Sequence, residues 1–114
     1  MVRPVFPSDL DLLELFGVEP MVEDEAFGAT WVMTRGQERL ECFLDRYAGV
    51  VSARLTLAGR DLFHFRTDGV ESVSVWRRHQ IRALDIRFSD TSKIRPILIG
   101  IEPHFSLFWQ GQAW

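Results

Sequence analysis

The feature that most constrains the fold of this chain is an alternation of apolar and polar residues that starts at Ala29 and recurs in short segments up to Trp109. Successive side chains of a β-strand point to opposite faces of the sheet, so a period of two predicts half-buried strands. Turn signals separate the segments: RGQE at 35–38, AGRD at 58–61 and DG at 68–69. Such turns join neighbouring strands as antiparallel hairpins.

Seven or eight such strands follow one another with no helix-length segment between them. Parallel strands need a long crossover, so the pattern excludes βαβ topology and predicts an antiparallel meander, strongly curved or closed into a partial barrel. The side chains predicted to face the core are Ala29, Trp31, Met33, Leu40, Cys42, Leu44, Val51, Ala53, Leu55, Leu57, Phe63, Phe65, Val73, Val75, Leu84, Ile86, Phe88, Ile97, Ile99, Ile101, Phe105, Leu107 and Trp109.

One short helix is predicted before the strands, over residues 8–17 (SDLDLLELFG). Ser8 is a suitable N-cap, Asp9 and Asp11 suit the positive end of the helix dipole, and Gly17 ends the helix. Two turns of helix are not stable alone, so this helix needs a sheet to cover. Its predicted core-facing residues are Leu10, Leu13 and Phe16, with Leu12 widening the stripe.

The chain is therefore predicted to be an α+β protein with one domain over residues 1–114: the helix at 8–17, an acidic connection at 18–28 and the antiparallel sheet at 29–110. A length of 114 residues with 46% hydrophobic and 25% charged residues is ordinary for one globular core. A single cysteine, the lack of a signal-peptide pattern and the lack of a long apolar run predict a cytoplasmic protein with no membrane partner.

Catalytic patterns are missing from the sequence. His64, His79 and His104 are far apart and have no neighbouring ligand at metal-site spacing. Neither Ser8 nor Cys42 lies in a nucleophile elbow, and Cys42 alternates with core residues. The sequence predicts no enzymatic activity, no metal and no cofactor.

Charge is distributed unevenly, which is informative about partners. Residues 1–30 hold seven acids and one base, a net charge of −6, whereas the rest holds nine acids and twelve bases, a net charge of +3. Capping does not account for the acids beyond the helix, and a basic protein surface would attract them. The predicted partner-binding acids are Asp11, Glu14, Glu19, Glu23, Asp24 and Glu25.

Two tryptophans close the chain, in SLFWQGQAW at 106–114. Trp109 continues the strand alternation and is predicted to face the core. Trp114 follows Gly111, where no period assigns it. It is either a plug that packs over an open end of the sheet or an anchor for a partner, and it is included among the predicted partner-binding residues.

A second hypothesis places a single-stranded nucleic acid on a basic, aromatic stretch of the sheet. Residues 77–95 hold six bases and two acids, and arginines beside aromatic rings bind phosphates and stack bases. A pI of about 5.5 favours the simpler interpretation that these arginines solvate two strands. The residues of this alternative are Trp76, Arg77, Arg78, Arg82 and Arg87.

The acidic EPMVEDE at 19–25, the meander from ATWVMT to SLFW and the missing catalytic motifs together resemble the small cytoplasmic immunity proteins of bacterial polymorphic-toxin and secretion-system effector pairs. The resemblance implies an α+β fold with a curved antiparallel sheet, and a non-catalytic inhibitor that occludes the active site of one cognate toxin. It also implies a toxin with a basic cleft, such as a nuclease, in which the acidic segment replaces substrate phosphates. A carrier of small apolar ligands and a structural subunit are the remaining alternatives.

Overall fold

The computed structural model describes residues 4–24, 28–89, 94–109 and 112–113. Within them the chain forms one helix and ten strands. The elements are α1 (Asp9–Phe16), β1 (Val22–Asp24), β2 (Gly28–Arg35), β3 (Glu38–Asp45), β4 (Val50–Leu57), β5 (Arg60–Thr67), β6 (Val70–Arg78), β7 (Ile81–Phe88), β8 (Ile97–Glu102), β9 (Ser106–Trp109) and β10 (Gln112–Ala113).

The strands form two antiparallel sheets of five strands, each with its strands in chain order: β1 to β5 in the first sheet and β6 to β10 in the second. The predicted α+β fold, a short N-terminal helix followed by an antiparallel meander, is confirmed. The meander divides after β5, and the N–H of Val70, the first residue of β6, donates to the carbonyl of Gly49 (3.0 Å) rather than to β5. Strand β1 lies inside the predicted acidic connection and pairs with β2.

Helix α1 has the predicted ends. The Ser8 hydroxyl accepts a hydrogen bond from the Asp11 N–H (3.1 Å), and Gly17, at φ 72°, donates its N–H to the Leu13 carbonyl (2.7 Å). A positive φ is open to glycine at little cost, which explains the stop at this position.

The buried face of α1 differs from the predicted one. Leu12, Leu15 and Phe16 are buried, whereas Leu10 and Leu13 are 64% and 36% exposed. The buried residues lie at i, i+3 and i+4, which is one helix face, and the Phe16 ring packs on Trp31 of β2 at 5.4 Å between centroids. The prediction for Leu10 and Leu13 was wrong, and both side chains face outward.

One hydrophobic cluster joins the helix and both sheets. The core-facing residues predicted from the alternation belong to it or pack against it, except Leu57 and Trp109, each 42% exposed. Leu57 is the last residue of β4, beside a turn. Trp109 ends β9 and donates its indole N–H to the Arg95 carbonyl (3.2 Å), so its ring lies at the protein surface.

Arg35, at the end of β2, connects the two sheets. Its guanidinium donates to the carbonyl of Ile101 and to the carboxylate of Glu102 (2.7 Å), both in β8. The same group lies 4.3 Å from the centre of the Phe105 ring. Arg35 thus links the two sheets at this edge of the core through a hydrogen bond and an ion pair.

Candidate protein-binding surface

A cleft of about 520 Å³ lies between α1 and the first sheet. We call it the acidic cleft. Its lining residues come from the helix, the segment after the helix, and strands β2 and β3 with the turn that follows β3. They are Asp9, Leu10, Leu13, Glu19, Pro20, Gly28, Ala29, Trp31, Leu44, Arg46 and Tyr47.

Exposed apolar side chains form the helix side of the acidic cleft. Leu10 and Leu13 face it because the opposite face of α1 is used for the core. Tyr47, across the cleft, is 54% exposed, and the neighbouring Met21 is 65% exposed. Apolar and aromatic side chains with a polar rim are the usual composition of a protein-binding patch.

The turn after β3 places Tyr47 at the cleft. A carboxylate oxygen of Asp45 accepts hydrogen bonds from the N–H groups of Tyr47 and Ala48, both at 3.0 Å, and the Asp45 carbonyl accepts from Gly49 (2.9 Å). An aspartate that accepts from the backbone two and three residues on is a common way to fix a turn. The position of the aromatic side chain is therefore set by the backbone.

Charged groups form the rim of the cleft. Asp9 pairs with Arg46 at 2.8 Å, although the Asp9 side chain is 78% exposed. Glu19 is exposed on the same rim and makes no ion pair with another residue that the structure describes. The rim thus carries two carboxylates against one guanidinium.

The predicted acids are spread over several environments. Asp11 is exposed on α1, and Glu19 lines the acidic cleft. Glu23 and Asp24 belong to β1, where their backbones pair with Ala29 and Gly28. Two further predicted residues, Glu25 and Trp114, lie outside the described residues.

Glu14 is held by two residues of the rival nucleic-acid hypothesis. Its carboxylate pairs with Arg77 at 3.0 Å, and its carbonyl accepts a hydrogen bond from Arg82 at 3.5 Å. Both members of the ion pair are about half exposed. Folding thus joins the acidic segment to the basic stretch through a contact between α1 and the strands β6 and β7.

The five residues of the nucleic-acid hypothesis lie on two faces of the second sheet. Arg77 is directly opposite Arg82, so the two share the face turned toward α1, and Trp76 and Arg78 point to the other face. Arg87 also lies on that other face, where it pairs with the buried carboxylate of Asp85 at 3.2 Å. A single strand of nucleic acid on one face would meet only part of the predicted set.

Sequence reasoning missed the apolar part of the acidic cleft and the role of Asp9 on its rim. It assigned Asp9 to capping alone and Leu10 and Leu13 to the core. A signal was available for the leucines, because apolar residues occupy more than one side of α1. No sequence signal pointed to Tyr47. It lies in the turn after β3, far along the chain from the helix.

Groups with reactive chemistry are separated from one another. Among the described residues, no three His, Cys, Asp or Glu side chains come together as a metal-binding group, and His64, His79 and His104 are exposed. Burial raises the pKa of the Cys42 thiol to about 12, as befits the core residue that was predicted. No helix in the part of the chain that the structure describes has the length and apolar character to cross a membrane.

The architecture is α+β: over the described residues, one short helix packs on two antiparallel sheets of five strands each. A solved structure shares this fold: a chain from the contact-dependent growth inhibition toxin–immunity protein complex of Klebsiella pneumoniae 342 superposes with a TM-score of 0.85. The match covers 95% of this chain and 96% of that one, at 18% sequence identity. The sequence matches no protein-family model and no curated protein. The comparison shows a shared fold.

Proposed function

We propose that this protein is a cytoplasmic immunity protein that binds one cognate bacterial toxin and blocks its activity without catalysing a reaction itself. The observation that carries the proposal is the fold shared, over nearly the whole of both chains, with a chain of a toxin–immunity protein complex. The missing catalytic motifs in the sequence fit an inhibitor that acts by binding.

The acidic cleft is the surface we assign to the toxin. Leu10, Leu13 and Tyr47 offer apolar area that a partner can bury, and the carboxylates of Asp9 and Glu19 surround it. A toxin that cleaves nucleic acid needs a basic substrate site, and carboxylates aligned with such a site attract it over a Debye length, about 8 Å at physiological salt. The bound immunity protein would then occlude the active site.

The first experiment is co-expression with the product of the adjacent gene, followed by co-purification and a toxicity assay in cells. The proposal expects a stable complex and growth protection that is lost when this chain is omitted. Absence of a complex, together with absence of protection, would overturn it. Fluorescence polarisation with single-stranded oligonucleotides separates the nucleic-acid alternative, which requires binding that weakens steeply with salt.

The second experiment tests the acidic cleft. Asp11→Asn/Glu19→Gln removes two exposed carboxylates from α1 and the cleft, and Asp68→Asn/Glu71→Gln removes two exposed carboxylates elsewhere. Stopped-flow association with the toxin at low and physiological salt is expected to show a several-fold slower rate for the first variant, with the larger effect at low salt. Equal rates for both variants would contradict the assignment of this surface.

The rest of the acidic segment is tested in the same assay. Neutralising Glu19, Glu23, Asp24 and Glu25 together removes four carboxylates and is expected to slow association further, again more at low salt. An unchanged association rate would mean that the acidic segment does not steer the toxin.

A further inference from the structure

A second, apolar opening lies on the other side of the core, along the edge of β5. This groove has a volume of about 480 Å³ and is lined by Leu62, Phe63, His64, Phe65, Arg66, Thr67, Ile94, Ile97, Leu107 and Trp109. We call it the β5 groove. It runs between the last strand of the first sheet and strands β8 and β9 of the second sheet with the segment before β8. No residue of the acidic cleft belongs to it.

On the side of this groove, no strand that the structure describes pairs with the backbone of β5. Among the described residues, β5 is the end strand of the first sheet and hydrogen-bonds only to β4. The strand has eight residues and no proline. Its register with β4 shifts between Leu55 and Thr56, where Leu62 has no partner, and the pairing is regular from Leu55↔Phe63 to Val51↔Thr67. A regular edge stretch whose N–H and C=O groups pair with no other described strand is a template for another strand.

The side chains along this edge are unusually apolar for an exposed surface. Leu62 is 53% exposed and Trp109 is 42% exposed, while Phe63 and Phe65 are half-buried at the margin of the core. Apolar area grouped in one groove usually marks an interaction site.

The opposite side of the core shows how such an opening is covered. There, between β2 and β6, α1 packs its apolar face on Trp31 and pairs Glu14 with Arg77. No helix of the described residues covers the β5 groove in the same way.

Charge selects the kind of segment. Of the described residues that line the groove, His64 and Arg66 are titratable and none is a carboxylate. The Arg66 guanidinium lies 5.9 Å from the centre of the Phe43 ring, across the face of β4, and makes no ion pair with another described residue. A second copy of this chain would bring the same guanidinium to this edge. An acidic partner segment complements the positive charge of Arg66.

We propose that an extended segment of the toxin adds as a sixth strand beside β5 and fills the β5 groove, an inference that rests on the proposed function. Backbone hydrogen bonds to the free edge supply affinity, and the two faces of the added strand supply specificity. Apolar side chains on one face meet Phe63, Phe65 and Leu107, and carboxylates on the other face meet His64 and Arg66. The segment recognised is thus an alternation of apolar and acidic residues.

The test uses the full chain and the product of the adjacent gene, with a matched pair of variants. Leu62→Glu places a carboxylate in the β5 groove, and Ile81→Glu places one at another exposed apolar residue, 44% exposed, outside it. We expect Leu62→Glu to weaken binding by at least about tenfold, since changing a buried interface residue can have an effect of this size, and Ile81→Glu to change binding little. Circular dichroism of both variants alone verifies that they fold.

Hydrogen exchange of β5 amides, free and in complex, reads out strand addition itself. Protection of amides within Arg60–Thr67 on binding, together with the loss in Leu62→Glu, supports the inference. A complex that forms with unchanged affinity in Leu62→Glu and without β5 protection overturns it while the proposed function stands. Absence of any complex with the unmodified chain overturns the proposed function. It also overturns the inference that a toxin strand adds beside β5. A dimer of this chain alone that Leu62→Glu dissociates would assign the groove to a second copy and also overturn it.

Discussion

Removal of the Arg35 guanidinium is expected to loosen the junction between the two sheets more than any other single change to a surface charge. Arg35→Met keeps most of the aliphatic stem and removes the charged group. Three interactions are lost: the hydrogen bond to the Ile101 carbonyl, the ion pair with Glu102 at 2.7 Å, and the contact with the Phe105 ring at 4.3 Å.

The magnitude follows from these contacts. A hydrogen bond from a charged donor contributes about 1.5–3 kcal/mol, a partly exposed ion pair about 0.2–1 kcal/mol, and an exposed cation–π contact about 0.5–1 kcal/mol. The Arg35 side chain is 35% exposed, so the lower ends of these ranges apply. We expect a loss of about 2 kcal/mol in the free energy of unfolding, which corresponds to roughly 8 °C in Tm for a chain of this size.

Urea unfolding followed by tryptophan fluorescence, with thermal melting by circular dichroism, measures the loss. The control is Arg54→Met, which removes an ion pair with Asp61 at 2.8 Å within the first sheet, between side chains that are each 47% exposed. This control is expected to change stability much less, because both partners remain solvated. Equal losses of unfolding free energy in Arg35→Met and Arg54→Met would refute the idea that Arg35 stabilises the contact between the two sheets.

Three further predictions concern the core and the chain end. Burial raises the pKa of the Cys42 thiol to about 12 in the folded protein. In the unfolded chain the thiol has a pKa of about 8.5. Above that pH the unfolded state therefore loses a proton that the folded state keeps. Stability should therefore fall with rising pH by up to about 1.4 kcal/mol per pH unit relative to Cys42→Ala, measured by urea unfolding from pH 8 to 10. Gly49→Ala should lower the free energy of unfolding more than Gly69→Ala, as measured by urea unfolding. Both glycines have a positive φ, but only at Gly49 would an added Cβ contact the Val70 carbonyl oxygen, at 2.8 Å. Trp114→Ala should lower Tm with toxin binding intact if Trp114 is a plug, and weaken binding with Tm intact if it is an anchor.

Alternation predicted most of the strand positions because burial on one face of a strand repeats at a fixed spacing. Leu84, Ile86 and Phe88 are an example: each was assigned to the core by its spacing, and each is buried. The rule failed at Leu57 and Trp109, which end their strands, where a turn or the sheet margin replaces the neighbours that a central strand residue has. Periodicity gives the face of a residue but not the extent of the core beneath it.

The helix shows a different limit. Leu10, Leu12 and Leu13 are all apolar, so several stripes on α1 are compatible with a core face. The contact between Phe16 and Trp31 selects one of them, and it depends on how the helix lies on β2. The acidic cleft exists because the remaining leucines were left outside, a result of tertiary packing that local spacing does not encode.

Ion pairs between distant segments change the meaning of the charge pattern itself. The sequence presents an acidic segment and a basic stretch as two separate candidate surfaces, but Glu14 and Arg77 are 63 positions apart and pair across the fold. The charges of Glu14 and Arg77 are therefore partly neutralised within the folded chain. The charge of Arg87 is partly neutralised by Asp85 in the same way. Of the predicted partner-binding acids whose side chains the structure describes, Asp11 and Glu19 make no ion pair with another described residue. Long-range electrostatic attraction depends on charge that is not neutralised by an ion pair. A basic partner should therefore be attracted to α1 and the acidic cleft, and not to the basic stretch of the second sheet.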